Sequence, residues 1–188
     1  MERAGSERER CATTRRETML AILASGVAAL AARDARAQWA SRPGDVARRP
    51  AGARAAELPQ AKDLAADAVA STKGRLPILL FFDREDCPYC ERALREYVVP
   101  YSRVEWKDRA IFRQVAIDRA LPARDFDGTL TTHKAIAERY GAVFSPTIVV
   151  VDGRGRALAD PIVGLATLDF YGAYVQDALA AGARKLRR

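Results

Sequence analysis

Two cysteines three residues apart, in Asp86-Cys87-Pro88-Tyr89-Cys90, are the side chains whose types and spacing best suit chemistry. A thiolate is the nucleophile of disulfide exchange, and a cysteine at a helix start has its pKa lowered below the ordinary ~8.5. The unpaired N–H groups of the first turn and the positive end of the helix dipole supply that stabilisation. Pro88 suits the first helical position, because it has no N–H to leave unpaired and its φ is preset. Cys90 lies one turn deeper, placed to attack a mixed disulfide formed at Cys87. The predicted chemistry is thiol–disulfide exchange in which Cys87 attacks and Cys90 resolves. Two other readings stay open. A structural disulfide closing so short a loop would stabilise little. A zinc site needs a second ligand pair, which the single histidine, His133, does not supply, whereas two thiolates suffice for copper(I).

The elements around the motif must place it between a strand and a helix. Leu76 to Phe82 is an apolar run short enough to be a buried strand. After the cysteines, Ala93, Leu94, Tyr97 and Val98 keep a helical pattern that Pro100 should end or kink. Upstream, residues 60–72 put Ala61, Leu64, Ala65, Ala68 and Val69 on one helical face, with Gly74 as the stop. Ile111 to Asp118 reads as a second strand, and Thr131 or Thr132 caps a helix running to Tyr140, with Gly141 just past it. Thr147–Val151 is the most β-prone segment. Asp152-Gly153-Arg154-Gly155 then turns the chain, so that Arg156 to Val163 can return antiparallel. A last amphipathic helix uses Leu168, Tyr171, Val175, Ala178 and Leu179. This order predicts an α/β fold with a mixed sheet, because a parallel crossover is followed by a hairpin. Tyr97, Phe112, Phe144 and Phe170 are expected in the core, and His133 on the surface at a helix start.

The chain of 188 residues, 49% hydrophobic, has room for one domain and a tail. Its net charge of +7 is unevenly spread. Residues 1–37 carry seven arginines against five acidic residues, residues 38–56 four against one, and the last six residues four basic side chains. The body from 57 to 182 is therefore slightly acidic, which argues against a nucleic-acid-binding face. Arg15-Arg16 precede the uncharged stretch Met19–Ala32, which has the length of a signal-peptide core, and Ala35-Arg36-Ala37 offers a cleavage site. Thr14 to Leu20 matches the twin-arginine export pattern. The expected organisation is a signal peptide at 1–37, a Pro/Gly/Arg linker at 38–56, a domain at 57–182 and a basic tail at 183–188. Retention as an uncleaved amino-terminal anchor is the alternative to cleavage. Cleavage would remove Cys11 and leave Cys87 and Cys90 alone in an oxidising compartment.

The order of elements, Cys-Pro-Tyr-Cys after a hydrophobic strand, and Tyr140-Gly141 followed by Ser145-Pro146-Thr147 before a second strand together resemble the thioredoxin superfamily over about residues 60–182. Within it the chain is similar to the exported thioredoxins of bacterial sulfur oxidation, the SoxW and SoxS types. Those also carry a signal sequence, a Cys-x-Tyr-Cys motif, and a glycine before a Phe-containing last helix, here Gly164 and Phe170. The resemblance implies that Pro146 is a cis-proline facing the cysteine pair. It also implies that Ser145 contacts Cys87, and that Ser145, Pro146, Pro88 and Tyr89 border the substrate groove.

Three departures stand out. Phe81 occupies the position of the family's buried aspartate, Gln114 that of its paired lysine, and Asp86 that of the tryptophan before the first cysteine. The proton of Cys90 must then pass to water, Asp83, Glu85 or a substrate group. Cys-Pro-Tyr-Cys is also the glutaredoxin motif, but Asp83, Glu85, Asp86 and Glu91 outnumber Arg84, Arg92 and Arg95, which disfavours anionic glutathione.

The reading that results is a periplasmic, monomeric thiol–disulfide oxidoreductase, with no diffusible cofactor and no metal. It reduces protein disulfides and is recharged by a membrane thiol transporter. A copper(I) carrier using the same thiolates is the alternative, with the low methionine content against it.

Overall fold

A computed structural model of the chain describes residues 57–165 and 168–188. The signal-peptide and linker expectations for 1–56, and Cys11 with them, lie outside the described residues. In chain order the elements are α1 (Leu64–Gly74), β1 (Ile78–Asp83), α2 (Pro88–Ala93), a π-helical turn (Leu94–Val98), α3 (Val99–Arg103), β2 (Ile111–Ala116), β3 (Pro122–Arg124), β4 (Leu130–Thr132), α4 (His133–Arg139), β5 (Thr147–Val151), β6 (Ile162–Val163) and α5 (Leu168–Arg187). The main sheet has the order β2-β1-β5-β6. The β1–β2 pair is parallel, and the other two pairs are antiparallel. This is the mixed α/β sheet flanked by helices that the sequence predicts.

All six residues of β1 are buried, so the strand feeds two cores by alternation. Leu79 and Phe81, with Ile148 and Val150 of β5, pack against Cys87, Cys90, Leu94 and Val98 and against Tyr171, Val175 and Leu179 of α5. Ile78, Leu80 and Phe82 point the other way, onto Leu64 of α1 and Ile136 of α4. The cysteine motif thus rides on one packed layer, tied down by the Tyr97 hydroxyl, which donates to the Leu168 carbonyl at 2.9 Å. Close approach matters at Gly172, where a Cβ would collide with the Tyr101 hydroxyl oxygen.

Several local expectations are corrected. Asp63 caps α1 by accepting from the Ala66 amide, so the helix starts at Leu64. It buries Leu64, Asp67 and Ser71, while Val69 is exposed. The inward Asp67 is held by Arg113 of β2 at 2.5 Å, a charged pair that an apolar pattern does not reveal. Arg75, in the left-handed region at φ 51°, forms the C-cap one residue after Gly74. Pro100 does not end its helix. The ladder widens into the π turn just before it, with the Val99 amide bonding the Leu94 carbonyl, and the chain continues to Arg103. The short β3–β4 hairpin has no hydrophobic alternation that would mark it in the sequence. The basic residues 183–187 extend α5 by a final turn, where cations suit the helix's negative end. Phe144 and Phe170 are exposed, whereas Phe112 is buried.

Candidate active site

Cys87 is the N-cap of α2, in extended conformation, and Pro88 takes the first helical position. Its Sγ accepts from the Cys90 amide at 3.2 Å. A sulfur held there by a backbone N–H is placed where thiolate charge is stabilised. The two sulfurs are joined as a disulfide, with Cα atoms 5.2 Å apart. Cys87 keeps 8% of its surface exposed against 2% for Cys90, so an incoming group meets Cys87 first. Tyr89, between them, projects into solvent.

The loop between α4 and β5 faces this pair. Gly141 ends α4 at φ 61°, a left-handed position that glycine takes without strain. Val143 and Phe144 are exposed, Ser145 is half-buried and Pro146 is buried. The Ser145–Pro146 peptide is cis. The Ser145 hydroxyl donates to Cys87 Sγ at 3.6 Å, bringing together two residues 58 positions apart. The loop is fixed from behind by the Gly164 amide, which donates to the Pro146 carbonyl at 2.7 Å, and by the Thr147 hydroxyl bonding the Phe144 carbonyl. Cys87, Cys90, Ser145 and Pro146 therefore share one site, with Pro88 and Tyr89 on its helical rim and Phe144 on its loop rim. The thioredoxin-like domain family matches residues 63–178, which contain every one of these positions. The chain belongs to the thioredoxin-like family.

Solved structures similar to the chain share that fold at low identity. A thioredoxin of Fasciola hepatica is 15% identical, covering 65% of this chain and 97% of its own, at a TM-score of 0.46. The periplasmic thioredoxin SoxS of Paracoccus pantotrophus is 20% identical, covering 56% and 97%, at 0.39. The C-terminal domain of DsbD from Neisseria meningitidis is 19% identical, covering 63% and 98%, at 0.41. No curated protein matches the sequence.

Beside the thioredoxin-like motif two residues singled out in the sequence, Asp83 and Gln114, prove to be partners. Asp83, the last residue of β1, has the strand parity of Leu79 and Phe81 and so belongs to the cysteine-side face. It is 7% exposed. The Gln114 carboxamide donates to Asp83 Oδ2 at 2.5 Å and accepts from the Leu58 amide at 3.0 Å. The other carboxylate oxygen, Oδ1, is buried with no hydrogen-bond partner. Burial pushes the Asp83 carboxyl up to about 6, against the opposing pull of Gln114 and Arg119. Asp83 is one of the proton acceptors that the sequence left open, and its parity with Leu79 and Phe81 is the sequence signal that could have put it ahead of Glu85.

His133 reverses its expectation. It begins α4 but is 1% exposed, because its ring turns inward to accept from the Ala116 amide at 3.0 Å. Among the described residues no group of three or more His, Cys, Asp or Glu side chains could hold a metal ion. No described helix is long and apolar enough to cross a membrane.

Proposed function

We propose that the chain is an exported thiol–disulfide oxidoreductase that reduces disulfides of periplasmic proteins. The observation that carries this reading is the placement of Cys87 Sγ between the start of α2 and the Ser145 hydroxyl on the cis-proline loop. In the reduced protein the Cys87 thiolate attacks one sulfur of a substrate disulfide, and the other sulfur leaves as a thiolate that takes up a proton. Cys90 then loses its proton and attacks Cys87 Sγ, which releases the second substrate thiol and leaves the Cys87–Cys90 disulfide. Two electrons pass to the substrate, and no diffusible cofactor takes part.

Ser145 and Pro146 shape the groove beside Cys87, with Pro88 and Tyr89 forming the opposite wall. Asp83 is the acceptor we assign to the Cys90 proton. Of the groups open on sequence grounds, it is the one buried on the cysteine side of β1, with a carboxylate oxygen to spare. Export rests on the twin-arginine pattern and apolar core of residues 1–37, with 38–56 as the linker to the domain. The chain works as a monomer and receives electrons from a membrane thiol transporter.

The deciding experiment is the reduction potential of the pair, by thiol alkylation across a redox-buffer series. A value near −270 mV marks a reductant, one near −120 mV an oxidant. Resistance to reduction until well below about −300 mV would make the bond structural and end the proposal.

A further inference from the structure

The outer edge of β2 is closed in two steps. At Gln114 the lead-in segment pairs with it backbone to backbone. The Gln114 amide donates to Pro59 O at 2.9 Å, and the Ala61 amide donates to Gln114 O at 3.0 Å. Two residues on, the lead-in has already turned away towards α1, and the Ala116 amide donates to His133 Nδ1 instead. The ring also lies beside the Ala61 backbone, whose amide is already bonded to Gln114 O. The imidazole thus stands in the gap where two chain segments diverge and satisfies the Ala116 amide that the lead-in leaves unpaired. Its own backbone is anchored, because the His133 amide donates to Leu121 O at 2.9 Å and Thr132 caps the helix behind it.

The two residues after Ala116 hold the loop in front of the first cysteine. The Ile117 amide donates to the Asp83 carbonyl at 2.7 Å, and Asp118 Oδ2 accepts from the Glu85 amide at 3.1 Å. Between these ties and Cys87, the chain passes through Arg84, Glu85 and Asp86, all exposed, with Asp86 in the left-handed region at φ 53°. The loop has little packing of its own, so its course depends on where Ile117 and Asp118 stand.

We propose that His133 is a positioning residue for the cysteine loop. By accepting the Ala116 amide it fixes the end of β2, and through Ile117 and Asp118 it sets the path along which Asp83, Glu85 and Asp86 deliver Cys87. The proposal rests on Cys87 being the reactive thiol. A histidine serving only as filler would not need its Nδ1 set against the one amide of the β2 end that the lead-in segment leaves unpaired.

The test uses the reduced full chain with His133→Leu, which removes the acceptor, and His133→Asn, which restores an acceptor near the Nδ1 position. Amide hydrogen exchange and the rate of Cys87 alkylation by iodoacetamide are read together. In His133→Leu the amides of Ala116, Ile117 and Glu85 should exchange at least tenfold faster and the Cys87 rate should change at least threefold. The amides of Val149 and Val150 should keep their protection, and His133→Asn should return both readouts towards wild type. Loss of protection at Ala116 alone, with Glu85 and the Cys87 rate unchanged, would overturn the proposal.

Should His133→Leu fail to fold, native-state exchange of the wild type across a denaturant series decides instead. Ala116, Ile117 and Glu85 opening as one unit, distinct from Val149 and Val150, supports the linkage, and independent opening refutes it. Neither readout needs a substrate. An inactive wild type would therefore sink the oxidoreductase reading while leaving the behaviour of this loop measurable.

Discussion

Gln114 and Asp83 form a closed pair across neighbouring strands, the carboxamide donating to one carboxylate oxygen at 2.5 Å while the other stays buried and unpartnered. A carboxylate in this state is only half solvated by the protein. Burial, the largest influence on it, favours the protonated form and lifts its pKa from 3.8 to about 6.

The pair therefore makes stability pH-dependent. The folded state binds the Asp83 proton more tightly than the unfolded state, so its contribution is full below pH 3.8 and is lost as pH rises through about 6. Asp83→Asn, which cannot ionise, should gain on wild type by up to about 3 kcal/mol across that window, two pKa units' worth. Urea unfolding at pH 4 and pH 8 measures the gain, and an equal difference at both values would contradict it. The same variant should slow the second half of disulfide exchange, release of the mixed disulfide, if Asp83 receives the Cys90 proton.

His133 acts in the opposite sense. Burial, foremost, holds its pKa below the ordinary 6.5, since the neutral ring is the one the fold accommodates. Its stabilising effect is fully present above pH 6.5 and is lost as pH falls towards the lowered folded value. In an Asp83→Asn background, where the opposing slope is gone, thermal stability should fall between pH 7 and pH 5. Adding His133→Asn should flatten that fall.

Cys90→Ser should trap substrate on Cys87 as a mixed disulfide, because the attacking thiol of the second step is missing. On a non-reducing gel with a disulfide-containing protein substrate, the adduct should accumulate. In the Cys87→Ser, Cys90→Ser double variant it should vanish. An adduct that persists there would place the reactive thiol elsewhere.

Phe144 is 67% exposed on the loop facing Cys87, a large apolar side chain that a folded partner would cover. Phe144→Ser should raise KM for a protein disulfide about tenfold, the effect of losing ~1.4 kcal/mol of apolar contact. A small disulfide such as hydroxyethyl disulfide should be affected much less. Equal effects on both substrates would remove Phe144 from the partner surface.

Gly172 lets α5 approach the cysteine-bearing helix. A methyl there would collide with the Tyr101 hydroxyl oxygen and meet Tyr97 Cδ1 at 3.0 Å. Gly172→Ala should cost about 1–3 kcal/mol of stability by overpacking, seen as a lower urea midpoint. An unchanged midpoint would show that the tyrosines move aside freely.

The parts of this molecule that show in the sequence are those set by local pattern. The apolar run of β1, the turn at Asp152–Gly155 and the Thr132 cap each depend on neighbours in the chain, and so does the cysteine motif. The features hidden from the sequence depend on distant partners. His133 reads as a surface residue because only the fold brings it to Ala116 and Ala61. Asp67 reads as solvent-facing because Arg113, its partner, is 46 positions away. Phe144 and Phe170 read as core because hydrophobicity alone does not separate an interior position from an exposed one.

The borders of the main sheet bear on self-association. An open strand edge is a template on which a second chain can grow a sheet. Here the amides of Gln114 and Ala116 are already committed, to Pro59 and to His133, and the opposite border is the two-residue β6. Among the described residues neither side offers a long row of unpaired backbone groups. The solvent-facing side chains of Val163, 54% exposed, and Phe144, 67% exposed, therefore lie outside the paired backbone of the sheet borders.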